Sequence, residues 1–206
     1  VKYSKEWSVL RIRKSKAFEK KLFQTGFWIR AAYVVFSYIF YMSMTGQPFE
    51  FAFADSDGYT QTAQWFSEEW ERDNLWYTLT EFSKSSFSDM GYPLFLLLPI
   101  HLFEMPFVQC IIRLIHAFFG AYTAVIIYRL VNRSMGETTA RLAAIFCMLH
   151  PVLICYCGLT LKEVFMAFLV VLFIDMADRM LRDRNYALNT IAPAVLTGGA
   201  LFMFRT

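Results

Sequence analysis

Asp55 and Asp57 stand two residues apart in Asp55-Ser56-Asp57-Gly58-Tyr59, within a chain that is 57% hydrophobic. Paired carboxylates suit two kinds of chemistry: together they can hold a divalent cation, or one can take a proton while the other orients the group that gives it. The plainer alternative is a solvated turn, since Asp57-Gly58 is a good turn dipeptide. A second ionisable pair, Lys162-Glu163, follows Cys157-Gly158-Leu159-Thr160-Leu161 between two apolar runs. Charges at or near membrane depth are expensive and usually face a cavity or a partner. A third set, Gln109, Arg113, His116, Gly120 and Thr123, recurs at helical spacing inside one apolar run, so that stripe must face protein or water. It either bonds a neighbouring helix, with a close approach at Gly120, or turns Arg113 toward an anionic ligand. Cys110, Cys147, Cys155 and Cys157 lie in apolar runs and read as buried thiols. Cys155-Tyr156-Cys157 is one residue short of a CxxC and has no histidine pair beside it, which speaks against zinc. His101 and His150 each sit alone beside apolar residues and read as structural. Asp175 and Arg179, four apart, read as a helix ion pair.

The elements that must position these groups are membrane helices. A mean hydropathy of +0.38, with 22 Phe and 11 Tyr in 206 residues, is too apolar for an ordinary soluble domain and too poor in charge for a disordered one. The net charge of +3 hides an asymmetry: Lys2, Lys5, Arg11, Arg13, Lys14, Lys16, Lys20 and Lys21 crowd the N-terminal segment against Glu6 and Glu19. That block suits an anionic cytoplasmic lipid surface. Trp7, Leu10, Phe18, Leu22 and Phe23 interleave it and a span follows at once, which argues against nucleic acid.

A span needs about 20 mostly apolar residues. Four stretches qualify, 27–44, 106–131, 139–158 and 161–180, with a fifth near 187–204. The run GYPLFLLLPIHLF at 91–103 contains Pro93 and Pro99 and is short for a span. Sidedness decides its role. With the basic segment in the cytoplasm and 91–103 not crossing, Arg129, Arg133, Arg141, Arg179, Arg182 and Arg184 all fall inside, as the positive-inside rule requires. The acid-rich stretch from Glu50 to Asp89 then falls outside. The expectation is an all-α, polytopic membrane helix bundle of about five spans with interfacial helices in its first loop. A basic cytoplasmic interfacial segment, 1–26, precedes a single bundle, 27–206, that includes the external loop 46–105. One surface helix of that loop shows in the near-helical spacing of Tyr59, Ala63, Trp65, Phe66 and Trp70, with Glu68, Glu69 and Glu71 on other faces. On this topology Asp55, Asp57 and Glu163 share one compartment.

The order of these features resembles the N-terminal half of the GT-C superfamily of membrane glycosyltransferases. Its nearest flavour is the protein mannosyltransferase and lipid A aminoarabinose transferase group. The residues that carry the likeness are Asp55-Ser56-Asp57-Gly58-Tyr59, Gly91-Tyr92-Pro93-Leu94-Phe95, Arg113-Leu114 with Gly120, and Leu159-Thr160-Leu161-Lys162-Glu163. The resemblance implies a transferase that takes a sugar from a polyprenyl-phosphate-linked donor at the external face and passes it, with inversion, to a glycan, lipid or protein acceptor. It implies Asp55 or Asp57 as general base, Glu163 as a supporting acid, and Arg113, Lys162 or Arg205 on the donor phosphate, with Tyr59 in the substrate site. Asp55 and Asp57 would be the ligands if a divalent cation takes part; no other cofactor is implied. Asp-Ser-Asp departs from the acidic-Glu pattern of many relatives, so which aspartate corresponds stays open. The pattern stops in mid-course at 201–206, and the expectation is the N-terminal part of a longer protein. A bacterial plasma membrane fits the lack of a retention signal. The rival reading is a non-catalytic membrane scaffold subunit or small transporter. Against a transporter, no internal repeat is visible and only Pro193 and Gly198-Gly199 interrupt a span.

Overall fold

The computed structural model describes residues 2–49, 54–104, 107–184 and 186–204. They form α1 (Lys2–Thr45), α2 (Ala54–Glu71), α3 (Leu75–Ser86), α4 (Gly91–Leu102), α5 (Phe107–Met135), α6 (Glu137–Leu149), α7 (Pro151–Cys157), α8 (Glu163–Asp183) and α9 (Leu188–Met203), with a 3-10 turn at Phe87–Asp89 before α4. No strand occurs among the described residues.

Helix boundaries follow local chemistry. The basic segment and the first apolar run are one continuous α1, because neither glycine nor proline interrupts them except Gly26. Gly46 ends this helix with φ +72, a left-handed conformation that glycine adopts without penalty. Gly136, at φ +86, separates α5 from α6. At Pro151 the ring removes a backbone donor and pushes His150 into an extended conformation (ψ 116), so α6 and α7 meet at a 48° bend.

Among the described residues, two helical segments are long and apolar enough to cross a bilayer, Ser15–Thr45 and Phe107–Met135; counting bent α6–α7 as one span makes three. The other two of the expected five fall short of that standard. α9 has 16 residues, and α8 carries Asp175, Asp178, Arg179, Arg182 and Asp183 in its second half. α4 has 12 residues, about 18 Å of helix, well below the roughly 30 Å hydrocarbon core. It packs against α2 and the start of α5.

α5 is the central post, with α1, α6 and α8 packed around it. One apolar core gathers Tyr92, Leu96, Val108, Ile112, Phe168 and Phe204 near its start. A second gathers Leu22, Ala124, Tyr128, Ala140 and Ala144 near its end. Between them α1 crosses α5 at Gly120, where a Cβ would come within 2.8 Å of Arg30 Nε and 3.0 Å of Cys157 Sγ. The close approach expected at Gly120 is therefore made by a buried arginine of α1.

Candidate active site

α2, α4 and the α7–α8 turn converge at the start of α5. Asp55 and Asp57 lie in the first turn of α2 and both are exposed. They ride a helix rather than a turn, and two acids there are favoured by the unpaired N–H groups of the helix start. Their environments differ. Asp57 Oδ2 accepts from Gln61 Nε2 at 2.9 Å, one helical turn on. Asp55 lines a cleft of about 390 Å³ together with Tyr59, Thr62, Ser86, Asp89 and Pro93.

The other wall of this cleft is held from the α7–α8 turn. Lys162, only 6% exposed at its side chain, donates from Nζ to Asp89 Oδ1 at 3.2 Å. The same ammonium sits 5.3 Å from the centre of the Tyr59 ring, in cation–π reach. Burial opposes its charge, but Tyr59 and Asp89 outweigh that and hold its pKa above the ordinary 10.5. Asp89 is 73 residues from Lys162; nothing in the local sequence marks it as more than one acid of an acidic stretch. Glu163, in the first turn of α8, has its Oε2 buried without a hydrogen-bond partner.

Tyr92 ties α4 to this turn. Its ring meets Tyr59 edge to face at 5.1 Å. Its hydroxyl lies 3.2 Å from His116 Nε2, while His116 Nδ1 lies 3.1 Å from the Leu159 carbonyl. A carbonyl only accepts, so Nδ1 carries the proton and Nε2 accepts from the tyrosine hydroxyl. Arg113 Nε donates to the Gly158 carbonyl at 2.7 Å and Nη1 to Gln109 at 3.2 Å, and its guanidinium lies 3.7 Å over the Phe49 ring. The polar stripe of α5 thus grips the α7–α8 turn from beneath.

The remaining sequence expectations distribute plainly. Arg205 lies outside the described residues. His101 is satisfied by Ser67 Oγ at 3.0 Å and stacks on Trp70. Asp175 pairs with Arg179 at 2.7 Å and also with Arg133, which reaches Asp178 at 2.9 Å as well. The cysteines are all free thiols; Cys157 is buried, Cys110 and Cys147 are half-buried, and Cys155 is exposed. No group of three or more metal-ligating side chains gathers among the described residues, so Asp55 and Asp57 would contribute two ligands at most.

An all-helical chain with apolar spans and a cleft lined by carboxylates beside a buried ammonium belongs to the class of helical membrane proteins with a polar site at one end of the bundle. The family model of the Alg9-like mannosyltransferases matches residues 76–206, more than half of the chain. The chain belongs to that family, which lies within the GT-C superfamily of membrane glycosyltransferases. The matched stretch includes Asp89, Arg113, Lys162 and Glu163 and begins after Asp55 and Asp57. No curated protein and no solved structure matches the chain.

Proposed function

We propose that this chain moves a sugar from a polyprenyl-phosphate-linked donor to an acceptor hydroxyl, amine or amide in the cleft at the start of α5, with inversion at the anomeric carbon. The observation that carries the reading is one cleft lined by both Asp55 and Asp89, the partner of Lys162, in a chain of a mannosyltransferase family. Asp55 is the general base. It takes the acceptor proton as the acceptor atom attacks the anomeric carbon; the bond from that carbon to the donor phosphate breaks, and the phosphate leaves with its electron pair. Lys162, fixed by Asp89 and Tyr59, offers a localised positive charge to that departing phosphate. Asp57 stands outside the cleft lining and supports Asp55 through the helix start. Arg113 is a positioning residue, since its donors are engaged at Gly158 and Gln109. Glu163 is a supporting acid of the turn. The cleft opens to the external side, and the N-terminal end of α1 faces the cytoplasm of a bacterial plasma membrane.

A non-catalytic subunit is favoured by one fact, that the family match starts after the two aspartates. Sugar transfer from polyprenyl-phosphate donors by full-length protein separates the readings. Asp55→Asn should lower turnover by roughly 10²- to 10⁴-fold, the usual worth of a general base. Asp57→Asn should cost less than about tenfold, because its Gln61 bond survives as an amide–amide contact. Unchanged turnover in Asp55→Asn removes the base from this scheme.

A further inference from the structure

At the opposite end of α5 from the cleft, two side-chain stripes face each other. Lys16, Glu19, Lys20 and Phe23 recur at i, i+3, i+4 and i+7 on α1; Phe118, Tyr122, Val125 and Arg129 recur at i, i+4, i+7 and i+11 on α5. Together they line a groove of about 350 Å³. The helices run antiparallel there. Phe23 meets Phe118 at 5.4 Å and Tyr122 at 6.4 Å, and one turn earlier Glu19 Oε2 accepts from Arg129 Nε at 3.0 Å and Nη2 at 2.6 Å. The groove is therefore aromatic at one end and charged at the other.

Its charged end carries Lys16, Lys20 and Arg129 against Glu19 alone. Arg129 is answered by Glu19, while Lys16 and Lys20 are exposed, so the surplus charge is theirs. Its depth is fixed from two directions. On α1 the charged residues Lys16, Glu19, Lys20 and Lys21 come just before the apolar run that starts at Phe27, and on α5 Arg129 and Arg133 close the apolar run, so the charged end lies where both helices leave the hydrocarbon. Phe118 is 46% exposed, which leaves the aromatic end open toward acyl chains. A cationic rim at the interface above an open aromatic channel matches the two halves of one molecule type.

We propose that this groove is a binding site for an anionic phospholipid, its phosphate between Lys16 and Lys20 and one acyl chain along Phe23, Phe118 and Tyr122. The inference does not depend on the catalytic reading of the cleft. The test places the full chain in nanodiscs of equal phosphatidylglycerol and phosphatidylcholine and reads the retained lipid by native mass spectrometry. Wild-type protein should retain phosphatidylglycerol over phosphatidylcholine by about thirtyfold, the order set by two lysines at a lipid surface. Lys16→Ala/Lys20→Ala should bring the ratio near one, and Lys16→Arg/Lys20→Arg should restore it. A phosphatidylglycerol with a photoreactive acyl chain, which needs no variant, should label the peptide holding Phe118 and Tyr122. Equal retention by wild type, an unchanged ratio in a double-alanine protein that melts like wild type, label confined to other helices, or crosslinks placing a second copy of the chain in the groove would each overturn the proposal.

Discussion

Lys162 keeps an ammonium where burial opposes it, and two neighbours make that tenable: the Asp89 carboxylate and the Tyr59 ring. Because its folded pKa is raised, the stabilisation from this contact is fully present below 10.5 and is lost only as pH rises through the higher folded value. The charge offered to a departing phosphate is thus constant through the neutral range. Asp89 is a positioning residue in this scheme, and a pH profile distinguishes that from a purely structural role. Asp89→Asn removes one of the influences that raise the lysine, so the basic limb of the donor kcat/KM profile should move to lower pH. The neutral-pH value should fall roughly ten- to a hundredfold as the ammonium loses its fixed place. Lys162→Met should abolish that limb, and Lys162→Arg, whose guanidinium keeps its charge, should push it to higher pH. A profile of wild-type shape in Asp89→Asn would detach Lys162 from the donor phosphate.

At the scale of elements, α4 is seated by a glycine. A Cβ on Gly91 would come within 2.8 Å of the Met203 carbonyl and 2.7 Å of the Phe204 ring, and the backbone oxygen cannot step aside cheaply. Gly91→Ala should therefore destabilise the bundle by about 1–3 kcal/mol, as overpacking does. Gly199→Ala, inside α9 with nothing within 4 Å of the new Cβ, should stabilise it by up to about 1 kcal/mol through helix propensity. Thermal unfolding in detergent reads both; equal melting of Gly91→Ala and wild type would show that α4 does not bear on α9. The elements differ in how far the sequence discloses them. The near-helical spacing of Tyr59, Ala63, Trp65, Phe66 and Trp70 suffices for α2, and a short apolar run with two prolines suffices for the 12-residue α4. Asp57-Gly58 misleads as a turn signal because it is local, whereas the helix is anchored further along by the full burial of Ala63 and Phe66. The bend at His150 is encoded by Pro151 but hidden by unbroken hydropathy on both sides. The Lys162–Asp89 pair has no local signature, since it exists only once α4 and the α7–α8 turn meet on α5.

Across the whole molecule α5 serves as a ruler. Arg113 near its start holds the turn that carries Lys162, while Arg129 and Arg133 near its end hold Glu19, Asp175 and Asp178. The rise from Arg113 to Arg133 is about 30 Å, the thickness of the hydrocarbon core. The acidic cleft and the arginine-rich end therefore stand one bilayer thickness apart along α5, and in the proposed orientation the arginines face the cytoplasm. Single cysteines at Ser88, beside Asp89, and at Met135, which is 69% exposed, report on this directly in a variant lacking Cys110, Cys147, Cys155 and Cys157. A membrane-impermeant maleimide added to intact cells should label Ser88→Cys and spare Met135→Cys until the cells are opened. Labelling of Met135→Cys alone from outside would invert the orientation while keeping the cleft and the arginines on opposite sides. Labelling of both would mean that α5 does not separate them, and a donor lipid in one leaflet would then have no reason to meet the cleft rather than the arginines.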